Sequence, residues 1–212
     1  TLPMMEVMVN HFKPFFLGIL ICISGYVLFY IMIAFSQIYA KSAPIISEAG
    51  YVMGLGFSPQ IFTALLMFSS VSLAITITIS GKYIDKVGRR IWLIWTTVGV
   101  ALFGLALPYF LKNGTTVSLF WFLITGMGLI GMGYGPLASF LPELFPTHAR
   151  YSGASLTYNI AGLFGASVAA IIALPLNANY GLKGVGIYLT LNAVLSLIGL
   201  WFITETRDRQ LL

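Results

Sequence analysis

Six runs of the chain contain no Asp, Glu, Lys, Arg or His: residues 14–40, 59–80, 91–111, 117–140, 151–174 and 185–204. Each is about as long as the roughly 20 apolar residues that a helix needs to cross a bilayer. None alternates apolar and polar residues over the length of a membrane-barrel strand. In lipid, a lone segment must satisfy its backbone polar groups internally, so the pattern predicts six transmembrane helices. The pieces around them read as a polar connector (1–13), short loops, and a tail (205–212).

Composition agrees with that pattern. Hydrophobic residues make up 58% of the 212, and only 8% are charged, against roughly 25% in soluble domains. So few charges exclude a water-exposed globular surface, and so much apolar content excludes disorder. The formal charge of +5 resembles a nucleic-acid signal, but the basic residues sit in loops between apolar runs and report orientation instead. Lys13, Lys82, Lys86, Arg89, Arg90, Arg150, Arg207 and Arg209 fall on one side, and only Lys41, Lys112 and Lys183 on the other. That bias places both termini in the cytoplasm. The single cysteine, Cys22, forms no intrachain disulfide, and neither metal-ligand spacing nor any cofactor motif is evident. The chain starts at Thr1 with no signal-peptide pattern, which suggests part of a longer chain; a six-span protein trimmed at its N-terminus is the alternative.

The connection after the second run carries the most information: Gly81-Lys82-Tyr83-Ile84-Asp85-Lys86-Val87-Gly88-Arg89-Arg90. Two glycines permit a sharp turn. Asp85 is placed to cap a helix or pair with an arginine, and Arg89 and Arg90 can fork onto carboxylates. This stretch resembles, without a mismatch, the G-x-x-x-D-K/R-x-G-R-R/K signature of the major facilitator superfamily. Glu143 and Arg150, six residues apart in Leu141-Pro142-Glu143-Leu144-Phe145-Pro146-Thr147-His148-Ala149-Arg150, resemble its E-x6-R element, and Glu205-Thr206-Arg207 is similar to the acidic element closing the last span. The stretch from Pro142 through Arg150-Tyr151-Ser152-Gly153 to Tyr158-Asn159 resembles the span 10–11 region of the metabolite:proton symporters, carriers of shikimate, dicarboxylates, citrate, 2-oxoglutarate and proline or betaine. His148 departs from that pattern, in which many members carry Arg.

The resemblance implies an all-α membrane protein in which these six helices form spans 7–12, one half of a major facilitator fold with a 3+3 inverted repeat. It implies an inner-membrane carrier that moves a small organic solute with protons, completed by an N-terminal six-helix half. It also implies a cytoplasmic ion-pair network of Arg89, Arg90, Arg150, Glu143 and Glu205 that holds one conformation, with Gly81, Asp85 and Gly88 in the same gating element. Asp85 would contact the other half. A static anchor at the headgroup level is the plainer alternative.

For substrate, the resemblance points to the first and fourth spans. Tyr26, Tyr30 and Gln37 fall at i, i+4 and i+11, close to one face of a regular helix. Thr125 on the fourth span, and Tyr158 and Asn159 on the fifth, add polar groups. Trp121 and Ser139 share the Thr125 face with Gly128 and Gly135. Interhelical hydrogen bonding is the better account of any one of them taken singly. Gly131 and Gly135, and Gly162, Ala166 and Ala170, are spaced for close helix packing. No ionisable residue lies within the runs, so a proton relay would need Glu143 and His148 at the rim or a group in the other half. An intramembrane serine protease would need a base near Ser155, and both histidines, His11 and His148, lie outside the runs. A six-span channel would need a carboxylate ring or a carbonyl filter, and a split or truncated product remains a further alternative.

Overall fold

The computed structural model describes residues 3–205. Of the expected tail only Glu205 belongs to them; Thr206, Arg207 and Arg209 lie outside the described residues. The chain is a bundle of long helices, and the connector itself is helical: α1 covers Pro3–Asn10, with Val7 fully buried. The spans follow as α2 (Phe12–Lys41), α3 (Pro59–Val87), α4 (Arg89–Leu111) and α5 (Thr116–Glu143). The last helical stretch, Arg150–Phe202, is continuous in hydrogen bonding but breaks at Gly181, whose backbone takes φ 66° and ψ −169°. It therefore forms two legs, α6 (150–180) and α7 (182–202). Gly181 packs against Tyr51, whose ring would stand 2.6 Å from a Cβ there.

α2, α5 and α6 outrun their charge-free runs at both ends, α3 at its C-terminal end, and α4 and α7 at their N-terminal ends, because a helix needs no apolar residue once it reaches the headgroups. Local chemistry fixes several starts. Ser58 accepts a hydrogen bond from the Ile61 N–H ahead of Pro59, and Thr115 accepts one from the Ser118 N–H at 3.2 Å. In α2, residues Ile31–Phe35 form a π turn. Between α2 and α3 the chain is a loop, pinned by a bridge between Ile46 and Val52 and by Ser47 Oγ donating to Ala178 O at 2.7 Å.

The pairing of helices has an internal symmetry. α3 packs on α5 and α4 on α7; α2 packs on both α6 and α7, and α4 also touches α5. Exchanging the triplet α2–α4 with α5–α7 turns α3·α5 into α6·α2 and α4·α5 into α7·α2, and leaves α4·α7 in place. Three spans per triplet run α2 and α5 in opposite directions, so the repeat is inverted. Small residues make the contacts: Gly131 against Leu73 and Thr76, Gly104 against Gly186, and Gly165 against Tyr26. α2 is the central rod, with 61% of its most apolar stretch buried, whereas α3, at 11%, is peripheral and faces its surroundings with Met67 and Phe68.

One polar contact ties α2 to α7 inside this apolar interior. The fully buried Ser196 hydroxyl donates to Leu20 O at 2.7 Å and accepts the Ser24 N–H at 3.2 Å. Ser196→Ala should lower unfolding free energy by about 1 kcal/mol, measured by denaturant titration of the detergent-solubilised chain.

Candidate functional site

Two constructions stand out. The first is a cavity of about 400 Å³ between α2, α3, α4 and α5, with α6 contributing Tyr158. Its wall is mostly aliphatic. Tyr26, Tyr134 and Tyr158 converge on it, beside Cys22, Ser24, Thr96 and Thr97. Two of these hydroxyls serve their own helix: Thr96 Oγ1 donates to Trp92 O and Thr97 Oγ1 to Leu93 O. The tyrosines are thus the main groups able to address a solute, and among the described residues no charged one lines the space.

Of the six candidate substrate residues, the fold gathers Tyr26 and Tyr158 here. Tyr30 is half-buried, and its hydroxyl donates to Ala170 O at 3.4 Å. Gln37 is exposed. The π turn lies between Tyr30 and Gln37, and its extra residue turns the helix by about 100°, so the i, i+4, i+11 stripe is broken. Thr125 is half-buried on α5 and does not line the cavity; Asn159 is exposed and donates to Ser155 O at 2.8 Å within its own helix. On α5, Gly128 and Gly135 face Ser72 and Ser80 of α3, and Trp121 is exposed, so that face is a packing face. Tyr134 was not a candidate; its place between Gly133 and Gly135, where small neighbours leave a ring room, was the available signal.

The second construction is a clasp where α4 begins and α5 and α7 end. Gly88 takes φ 99° and ψ 140°, a conformation open to glycine alone. The Glu205 carboxylate reaches over it: one oxygen accepts the Arg89 N–H at 3.2 Å and the other the Arg90 N–H at 3.1 Å. A Cβ on Gly88 would lie 2.8 Å from that carboxylate. Glu205 therefore caps α4 from across the bundle, where an anion meets the positive end of the helix dipole. Arg90 returns the contact, its Nε donating to Leu200 O at 2.7 Å and its Nη2 to Trp201 O at 3.0 Å, the last carbonyls of α7. Arg89 pairs with Glu143 at the end of α5; their side chains are 19% and 15% exposed, so water screens this pair only partly.

The remaining gating candidates are placed differently. Gly81 lies inside α3, not in a turn; an added Cβ there would meet nothing within 4 Å. Helical hydrogen bonding carries α3 through to Val87, and Gly88 alone makes the corner. Asp85 caps no helix: its side chain is 75% exposed and stands 3.7 Å from Arg89, one turn along. Arg150 opens α6, and its Nε is buried with no hydrogen-bond partner among the described residues. Glu6 Oε1 and His148 Nε2 lie 2.8 Å apart at the same end of the bundle.

Comparison with known proteins adds a lineage to this geometry. Residues 9–212 match the family described as sugar (and other) transporter. A Haemophilus influenzae protein named for metabolite transport is 86% identical over 99% of this chain and 47% of its own length. The Escherichia coli inner membrane metabolite transport protein YhjE is 37% identical over 99% of this chain and 46% of its own. A Salmonella typhimurium proline/betaine transporter is 33% identical over 63% of this chain and 27% of its own. The chain spans about half the length of the curated relatives that match it along its whole length. No solved structure matches significantly.

Proposed function

The chain belongs to the sugar (and other) transporter family, and on that premise we propose that it forms the C-terminal half of a secondary carrier that moves a small polar organic solute by alternating access. The observation that carries this reading is the clasp. It joins α4, α5 and α7 at one end of an inverted-repeat bundle through groups that can separate without unfolding a helix. The clasp lies wholly within this half and ties α4 of the first triplet to α5 and α7 of the second, so it would bias alternating access by holding the two triplets together in one state; a partly buried Arg–Glu pair supplies a difference of about a few kcal/mol. The clasp end is cytoplasmic in this reading, as the basic residues around it require.

The cavity supports a solute of modest size with an apolar or quaternary body. Tyrosine rings attract onium groups, and a neutral wall suits a betaine- or proline-like zwitterion better than a dicarboxylate. Among the described residues no charged side chain borders this cavity, so a symport cycle would titrate a group in the other half, or Glu143 and His148 at the rim.

The test is uptake into proteoliposomes that hold this chain together with the other half of its carrier, with proline, glycine betaine and a dicarboxylate as solutes, and with or without a pH gradient. Glu143→Gln removes the charge and keeps the shape. It should reduce uptake about tenfold, corresponding to about 1.4 kcal/mol of conformational bias, and raise thiol labelling of a cysteine introduced at Gly133. Unchanged uptake together with unchanged labelling would leave Glu143 as a static anchor.

A further inference from the structure

We propose that Glu6, His11 and His148 form a binding site for a divalent transition metal of the zinc class, which fastens the connector helix α1 to the loop between α5 and α6. One ligand atom from each residue lies within 4.8 Å of the other two. Two of them already touch: His148 Nε2 and Glu6 Oε1 are 2.8 Å apart, within hydrogen-bond distance. The His11 ring takes no part in that pair, yet it sits 6.3 Å from the His148 ring, tilted by 58°. A metal would use this second imidazole as its third ligand.

The backbone brings the three ligands from two separate segments, the end of α1 and the loop before α6. Val7, next to Glu6, is fully buried, and α1 packs on α6. The His11 N–H donates to Val7 O at 3.1 Å, which sets the bend carrying the ring. Ala149, next to His148, is fully buried, and its N–H donates to Pro146 O at 3.0 Å. The side chains retain freedom to close: His148 is 63% exposed. Ligand atoms around tetrahedral zinc stand about 3.4 Å apart, as follows from metal–ligand distances of about 2.0–2.2 Å. To reach that spacing the Glu6–His148 pair opens from 2.8 Å and the His11 nitrogen closes from within 4.8 Å.

Two imidazoles and one carboxylate select transition metals over calcium or magnesium, which take oxygen ligands. Water fills the fourth position.

Zinc chloride titrated into the solubilised chain, carrying an affinity tag without histidine and in competition with a chromophoric chelator, tests this directly. One ion should bind per chain, and cobalt(II) should give the visible absorption of a tetrahedral nitrogen–oxygen site. His11→Asn and His148→Asn should each weaken binding at least about tenfold, while Cys22→Ser leaves it unchanged. Zinc should also raise the Tm of the native chain but not of His148→Asn, with size-exclusion profiles confirming that each variant is folded. Substoichiometric binding, or equal affinity in the native chain and both histidine variants, would overturn the site.

Discussion

Gly131→Leu is expected to separate α3 from α5 and to destabilise the bundle by about 3 kcal/mol. A Cβ at this position would lie 2.5 Å from Leu73 O and 3.2 Å from Ile77 N, both backbone atoms of α3. A flexible side chain could move aside; a helix backbone moves only as a whole. Parting the helices forfeits the dispersion contacts along their full length, and these are the main attraction between helices in lipid, where no hydrophobic term favours association. Thermal unfolding of the solubilised chain should show the loss. Gly81→Ala is the internal control. It lies on exposed helix with nothing in its way, so helix propensity should make it neutral or stabilising by up to about 1 kcal/mol. Comparable losses in both variants would mean that the α3–α5 contact does not depend on the absence of a side chain at Gly131.

Glu205→Ala is expected to cost about 2–4 kcal/mol, since it removes two charge-assisted hydrogen bonds to the first turn of α4. The lost acceptor leaves the Arg89 and Arg90 N–H groups at the positive end of the helix dipole without the carboxylate. Gly88→Ala should be damaging for two reasons: its φ of 99° strains any L side chain, and its methyl group would strike the Glu205 carboxylate. Only the second reason depends on Glu205. The double variant should therefore be less destabilised than the sum of the singles, by about 1 kcal/mol or more. Strict additivity, measured by denaturant unfolding, would show that Glu205 and Gly88 act independently.

Much of this was legible along the chain because the bilayer admits so few solutions. Charge-free runs of spanning length have to be helices, and a motif as specific as Gly81 to Arg90 names a superfamily. Patterns fared less well wherever they assumed a regular helix. The Tyr26, Tyr30, Gln37 stripe presumes 3.6 residues per turn, and the π turn at Ile31–Phe35 cancels that register. Gly81 and Gly88 look equivalent in the motif, yet one continues the hydrogen bonding of α3 on its exposed side and the other turns the corner. The connector looked like a polar strap, but Val7 docks it as a helix.

The sequence by itself determined the solvent of this protein, the number of its spans and the lineage of its carrier half, since those depend on hydrophobicity summed over segments and on short contiguous motifs. Tertiary structure alone decided which charges meet. Glu205 caps a helix that begins 116 positions earlier in the chain, and Arg90 closes the helix that leads into Glu205. It also decided that Tyr134 joins Tyr26 and Tyr158, and that Glu6 and His11 reach His148. Such meetings depend on helix crossing, local register and backbone breaks at single residues, all set by packing between segments far apart in the chain, so no local pattern of residues encodes them.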